Sequence, residues 1–352
     1  MKELKIFAIV VILSGILYWG IEPYAHTKLH PHTANAEYNF SKEDTDYAKH
    51  FLEQKKEALE AAKASGNKAS IEAATKDVET AQKILDDYTA FWADINSIDL
   101  AKGDAAKGAE TFGAAGCTGC HGIEAAGIAV SASMPASMDA ETASQSFGVV
   151  PPDLSTAGKI YDERFLAALI KNPTMAVKLS HKFNDEHPYP MTAFMGAGGD
   201  INAEIADIVA YLKKVSAEAD AKSKITDEKV FADACQRCHD MKYDKRYAFS
   251  NKVSLAAYMG SNPPDLSMMI RSKGADYLHK FINDTQKMLP GTAMPRVGLN
   301  KAAEDDIVSY IEKVGDSKKA ERESTGIYTM IYFFILGIFA WLWKRKVWSE
   351  LH

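Results

Sequence analysis

Apolar residues concentrate at the two ends of the chain and thin out into helical patterns between them. An uncharged run from Ile6 to Ile21 follows Lys2 and Lys5. It is slightly short for a membrane span and slightly long for the core of a signal peptide. A small-residue cleavage site at Ala34-Asn35-Ala36 lies far beyond the run, so residues 1–25 are expected to be a retained anchor or uncleaved signal. A second run, Gly326 to Trp343, carries no charge, is dense in Ile, Phe, Tyr and Trp, and stops at Lys344-Arg345-Lys346. It shows no polar face, as a soluble core helix would, and predicts a transmembrane helix over residues 326–343. Cationic residues stay on the cytoplasmic side, so Lys2 and Lys5 at one end and Lys344, Arg345 and Lys346 at the other place both termini inside and residues 22–324 outside.

Between these runs the pattern is helical. Residues 41–99 are rich in Ala, Glu, Lys and Asp with scattered apolar positions, broken at Ser65-Gly66-Asn67. This predicts a helical hairpin, with Leu52, Leu59 and Ala62 on one seam and Ile71, Val78, Ile84 and Leu85 on the other. No chemistry is assigned to it.

The remainder repeats internally. A first copy passes through Cys117-Thr118-Gly119-Cys120-His121, Pro151-Pro152-Asp153-Leu154-Ser155, Phe165-Leu166, a methionine turn near Met191, and Asp207-Ile208-Val209-Ala210-Tyr211-Leu212. A second meets the same stations in the same order: Cys235-Gln236-Arg237-Cys238-His239, Pro263-Pro264-Asp265-Leu266-Ser267, Tyr277-Leu278, Met294-Pro295, and Asp306-Ile307-Val308-Ser309-Tyr310-Ile311. Two equivalent, mainly α-helical domains are therefore expected at residues 100–216 and 225–316, joined by a charged stretch from Ser216 to about Thr226. No alternating strand pattern competes with this reading.

Composition narrows the function. The 352 residues carry 41 Lys plus Arg against 47 Asp plus Glu, a formal charge of −6 with no long basic tract, so a nucleic-acid surface has no electrostatic basis. All four cysteines fall in the two Cys-x-x-Cys-His motifs. This spacing attaches c-type haem covalently: two thiols one turn apart add to the two vinyl groups on one haem edge, and the adjacent His points at the iron. A single four-thiolate zinc site would have to join motifs about 115 residues apart in units that each look complete. Disulfides or a redox dithiol leave the two histidines unexplained.

The downstream stations supply the rest of an iron site. The carbonyl of Pro152 or Pro264, in an extended segment, can accept the Nδ1 proton of His121 or His239 and leave Nε2 for iron; a plain turn is the alternative. A methionine thioether would close the sixth position. Met294 is the candidate in the second unit, and Met191 or Met195 in the first. Met195 stands as far from Asp207 as Met294 does from Asp306, 12 positions, against 16 for Met191. Met191-Thr192-Ala193-Phe194 instead resembles the Met-Pro-Ala-Phe turn of class I cytochromes c, which tips the choice slightly to Met191. Met134, Met138, Met175, Met268, Met269 and Met288 are assigned to packing or loops. His181 and His187 could replace a thioether but read more readily as loop residues. His26, His30 and His32 read as a wet interfacial segment rather than a metal site. Lys242, Lys245 and Arg246, interleaved with Tyr243 and Tyr247, read equally as a docking patch for an acidic partner or as a solvated loop.

These residues together resemble cytochrome c1, the haem c subunit of quinol:cytochrome c oxidoreductases (cytochrome bc complexes). The doubling, the opening Tyr18-Trp19-Gly20-Ile21-Glu22-Pro23-Tyr24-Ala25-His26 and the closing Lys344-Arg345-Lys346-Val347-Trp348 resemble the di-haem version of epsilonproteobacteria. The hairpin lies outside the resemblance. It implies two tandem class I cytochrome c-like domains between two transmembrane helices and two covalently bound haem c groups. It further implies a place in the bacterial inner membrane with the haem domains on the periplasmic side. Cytochrome b and a Rieske iron-sulfur protein would be partners, and a soluble cytochrome c or oxidase would receive the electron. Such a subunit relays electrons and has no bond-making site of its own. A di-haem subunit of a cbb-type oxidase or of a membrane dehydrogenase is the first rival reading; a di-haem peroxidase, which needs an open iron, is the second.

Overall fold

The computed structural model describes residues 2–22, 24–25, 38–128, 140–184 and 186–351. The expected sites at His26, His30, His32, Ala34-Asn35-Ala36, Met134 and Met138 lie outside these residues. All the named elements are helical, and the extended pairing among the described residues is limited to isolated bridges.

Helix α1 spans Lys2–Ile16 and continues as a π turn over Leu17–Ile21. The hairpin is α2 (Phe40–Ser65) and α3 (Lys68–Ser97). Its turn follows from local chemistry: Gly66 takes φ +69°, which suits a residue without Cβ, and the Asn67 side chain accepts the Ala69 and Ser70 amides to cap α3. The seam places Leu52 in the interior, with Leu59, Ala62, Ile71, Val78, Ile84 and Leu85 half-buried. At the far end of α3, Arg164 donates to the carbonyls of Ile98 (2.6 Å) and Ile95 (3.2 Å), satisfying acceptors that a helix end leaves open.

In the first repeat, α4 (Ala105–Ala114) crosses α6 (Ile201–Lys222), and α5 (Glu163–Lys171) packs against α6. The crossing is close because Gly108 has no side chain: a Cβ there would lie 2.0 Å from the Asp207 carbonyl oxygen. The second repeat uses α7 (Asp227–Ala234), α8 (Ala275–Asn283) and α9 (Lys301–Gly315) in the same way. Phe112 meets Tyr211 at 6.0 Å in one copy and Phe231 meets Tyr310 at 4.7 Å in the other.

Three features add to the expectations. The connecting stretch from Ser216 to Thr226 is helical as far as Lys222, because Gly158 NH bonds to the Ser216 hydroxyl, and Lys159 pairs with Asp220 at 2.5 Å. The hairpin packs into the first repeat: Phe40, Trp92, Ile95 and Ile98 share one core with Phe165, Ile205 and Leu212. The apolar run from Gly326 is the inner part of a longer helix, α10 (Lys319–Leu351), whose polar start is tied back by Arg322 to Asp316 and by Lys319 to Glu312.

The two repeats face each other directly. Tyr161 bridges to Leu299, Asn300 NH bonds to the Ile160 carbonyl at 3.1 Å, and Thr156 donates to Asp233 at 2.6 Å. Helix α1 together with its π turn, Lys2–Ile21, and α10 are each long and apolar enough to cross a membrane, and both lie outside the helical body with their apolar side chains exposed. Their ends meet where Lys344 pairs with Glu3.

Candidate haem centres

Each Cys-x-x-Cys-His motif follows a short helix. Asp104 caps α4 and Thr226 caps α7, and the chain then tightens so that His121 NH bonds to the Cys117 carbonyl at 2.9 Å and His239 NH to the Cys235 carbonyl at 3.0 Å. In the first copy Gly116, at φ +76°, makes that turn.

Both imidazoles meet a proline carbonyl. The Nδ1 of His121 lies 2.9 Å from the Pro152 oxygen, and that of His239 2.8 Å from the Pro264 oxygen. A carbonyl accepts and does not donate, so the ring proton sits on Nδ1 and the Nε2 lone pair is left for a metal. Burial pulls both imidazoles below their ordinary pKa, outweighing the opposite pull of the carbonyls. Both rings are therefore neutral at pH 7, the state in which histidine binds iron.

The Pro-Pro-Asp-Leu-Ser stations do more than supply that carbonyl. Leu154 NH bonds to the Gly122 carbonyl (2.8 Å), Asp153 accepts Glu124 NH (2.9 Å) and Ser155 accepts Ala125 NH (3.0 Å). In the second copy Leu266 NH bonds to the Asp240 carbonyl (2.9 Å), Asp265 accepts Lys242 NH (3.3 Å) and Ser267 accepts Tyr243 NH (3.1 Å). Each station thus stitches the loop behind its histidine at three points besides the proline carbonyl. Asp153, Ser155, Asp265 and Ser267 had no role in the sequence reading; their recurrence at matching places was the available signal.

The cysteines are unpaired. Burial pushes the Cys117 and Cys238 thiols up and that of Cys235 to about 12, the reverse of a thiolate metal site. Among the described residues, the cluster compact enough to hold an ion is His279, Glu304 and Asp305; neither Cys-x-x-Cys-His motif gathers its donors in that way. With Nδ1 held by a proline carbonyl and Nε2 left as the free ring nitrogen, each Cys-x-x-Cys-His motif suits covalent haem rather than zinc.

Two stretches, residues 105–216 and 228–315, match the family model of cytochrome c. The chain belongs to the cytochrome c family. It carries two covalently bound haem c groups, one for each matched stretch. No curated protein and no solved structure matches it.

In this cytochrome the methionines differ in their surroundings. Met191 is half-buried, as is Met294, whose amide bonds to the Thr292 hydroxyl at 3.3 Å. Met195 is 85% exposed. The Phe194 amide between them is held by the Ile170 carbonyl at 3.1 Å. His187 stacks on Phe183 at 5.0 Å and lies 3.1 Å from the Tyr258 carbonyl through Nε2, so it fastens the two domains together. His181 is exposed.

The basic cluster after the second motif is largely neutralised in place. Arg246 pairs with Glu228 and Asp244, while Lys242 lies 3.9 Å from both Asp240 and Asp265. That arrangement leaves less free charge for docking than the sequence suggested.

Sequence reasoning also missed an ionic centre in the interior. Asp44 of α2 receives both terminal nitrogens of Arg296, two positions after Met294, and the indole NH of Trp92 at 2.9 Å. Lys178 lies 3.1 Å from Asp44 and 4.6 Å from the Tyr47 ring. Arg296 also donates to the Asn283 carbonyl at 3.0 Å, while the Asn283 amide oxygen takes the NH groups of Gly298 and Leu299. Burial raises the Asp44 carboxyl, but Arg296 and Lys178 overcome that and hold it at about 2. The hairpin is thereby fastened to the segment that carries Met294.

Proposed function

We propose that this di-haem cytochrome is the c1-type electron-transfer subunit of a quinol:cytochrome c oxidoreductase. It would take electrons from a Rieske iron-sulfur protein beside cytochrome b and pass them to a soluble cytochrome c or an oxidase. The observation that carries the reading is a pair of matched His-to-proline stations on one chain, held between two helices of membrane-spanning length. The basic segments beside both helices, and the contact of Glu3 with Lys344, support termini that share the cytoplasmic side and haem domains on the periplasmic side.

Bound haem supplies a one-electron couple at its iron. In this reading His121 and His239 present Nε2 as proximal ligands, and the Pro152 and Pro264 carbonyls hold the Nδ1 proton in place. Met294 would be the distal ligand of the second domain. Met191 would be that of the first, because its side chain is half-buried whereas Met195 faces solvent. Thioethers on both irons would exclude substrate and leave electron transfer as the available chemistry.

Purification of the full chain from its native membranes, with identification of every copurifying subunit and a redox titration of the haem bands, tests this. Cytochrome b and a Rieske protein are expected in the preparation. Oxidase or dehydrogenase subunits in their place would assign the chain to another respiratory complex. A high-spin iron that reacts with peroxide would make it a peroxidase.

A further inference from the structure

The two methionine loops share a backbone register. Phe194 NH bonds to the Ile170 carbonyl of α5 at 3.1 Å, and Val297 NH bonds to the Ile282 carbonyl of α8 at 3.2 Å. Ile170 and Ile282 each stand five positions after the aromatic residue of matching stations, Phe165 and Tyr277. Three positions before the bonded amide come Met191 in one copy and Met294 in the other; one position before it come Ala193 and Arg296. At that place the first loop carries a methyl group and the second a guanidinium.

The hairpin encloses that guanidinium. Asp44 of α2 receives both of its terminal nitrogens, and the Phe40 and Tyr38 rings lie 5.2 Å and 5.7 Å from its central carbon. The adjacent acid of α2, Glu43, reaches Lys287 at 3.2 Å on the other side of the loop. Met294 therefore stands between two ties to consecutive residues of one helix. Its link to Arg296 is short and stiff, because Pro295 has a fixed φ and confines the residue before it to extended backbone. The Arg296 amide is held in turn by the Val177 carbonyl of the first domain at 3.1 Å. A shift of Met294 would have to pull on a buried ion pair. Ala193 has no side chain with which to hold the Met191 loop in this way.

We infer that the hairpin is a clamp on the second haem site: Asp44 through Arg296, and Glu43 through Lys287, hold Met294 where it can ligate iron. The inference rests on Met294 as the distal ligand of the second domain and is independent of the parent complex. Asp44 and Arg296 are positioning residues; neither is a ligand. A thioether is a soft, uncharged ligand, and its hold on iron depends on how firmly the loop presents it. The clamp makes the second iron the harder of the two to open to an outside base, and it gives the hairpin a task in the haem chemistry.

The test uses the full-length holoprotein. Met294→Ala identifies the haem concerned: it should abolish the near-infrared Met-to-iron band of one haem and lower that haem's potential. Asp44→Asn should weaken the same band and lower the same potential. It should also let imidazole displace that thioether at an about tenfold lower concentration, the scale of one charge-assisted hydrogen bond. The other haem should keep its band and its potential. A change in Asp44→Asn shared equally by both haems, or no change in either, would overturn the clamp while Met294→Ala still loses its band. A Met294→Ala protein that keeps both bands would instead remove the ligand on which the inference rests, and the inference with it. If Asp44→Asn does not mature, imidazole titration of the unaltered holoprotein decides. The band assigned to Met294 should be lost last, at an about tenfold higher concentration than the other; simultaneous loss or the reverse order overturns the clamp.

Discussion

Asp44 and Arg296 form a two-point ion pair in the interior, although 252 positions separate them, and each is 1% exposed. The pair joins the helical hairpin to the loop of the second haem domain that bears Met294. Lys178 brings the first domain into the same centre. Removing one partner should be expensive, because the other charge stays buried without compensation. Asp44→Asn is expected to cost about 3–5 kcal/mol, read from denaturant unfolding of the detergent-solubilised holoprotein. Replacing both residues by Met should cost less than the sum of the two single changes.

Acid should find the same centre. The Asp44 carboxyl is held at about 2 in the fold, below its ordinary value near 4. A depressed carboxylate contributes stability that is complete above the unfolded pKa and disappears as pH falls through the folded one. The contribution, about 2 kcal/mol, should therefore be present above pH 4 and lost between about pH 4 and pH 2. Unfolding free energies measured across that window should fall for the unaltered chain and show a shallower slope for Asp44→Asn.

Haem attachment divides cleanly between the motifs. Changing Cys117 and Cys120 together to Ser should reduce covalent haem from two groups per chain to one, and changing Cys235 and Cys238 should do the same. Pyridine haemochrome per mole of denatured chain measures it. Retention of both haems in either double variant would contradict the assignment.

The methionines of the first domain can be separated by spectroscopy. Met191→Ala should remove the weak near-infrared Met-to-iron band from one haem and lower its potential, because a thioether favours the reduced iron. Met195→Ala should leave spectrum and potential unchanged, since that side chain is 85% exposed. Loss of the band in the Met195 variant alone would reverse the assignment.

Much of the helical plan was legible locally. The turn at Ser65-Gly66-Asn67 was readable because a left-handed glycine followed by a capping asparagine is a nearest-neighbour device. The mainly α character followed from the period of apolar residues. The end of α6 at Lys222 was not readable. Charged, Ala-rich residues 217–222 suit a linker as well as a helix, and the buried Ser216 and the Lys159–Asp220 pair decide between them. The common core of the hairpin and the first domain was equally hidden, because Trp92 and Ile95 only declare their partner once α3 is laid beside α5.

By itself the sequence determined the covalent chemistry and the doubling, because haem attachment needs a fixed spacing of two thiols and a histidine within five consecutive residues, and a repeat is visible as order along the chain. Tertiary structure alone decided that Asp44 meets Arg296, that the two imidazoles meet the Pro152 and Pro264 carbonyls, and that Met195 faces solvent while Met191 is half-buried. Charge pairing and exposure depend on which distant segments the folded path brings together, and no local spacing rule records that path.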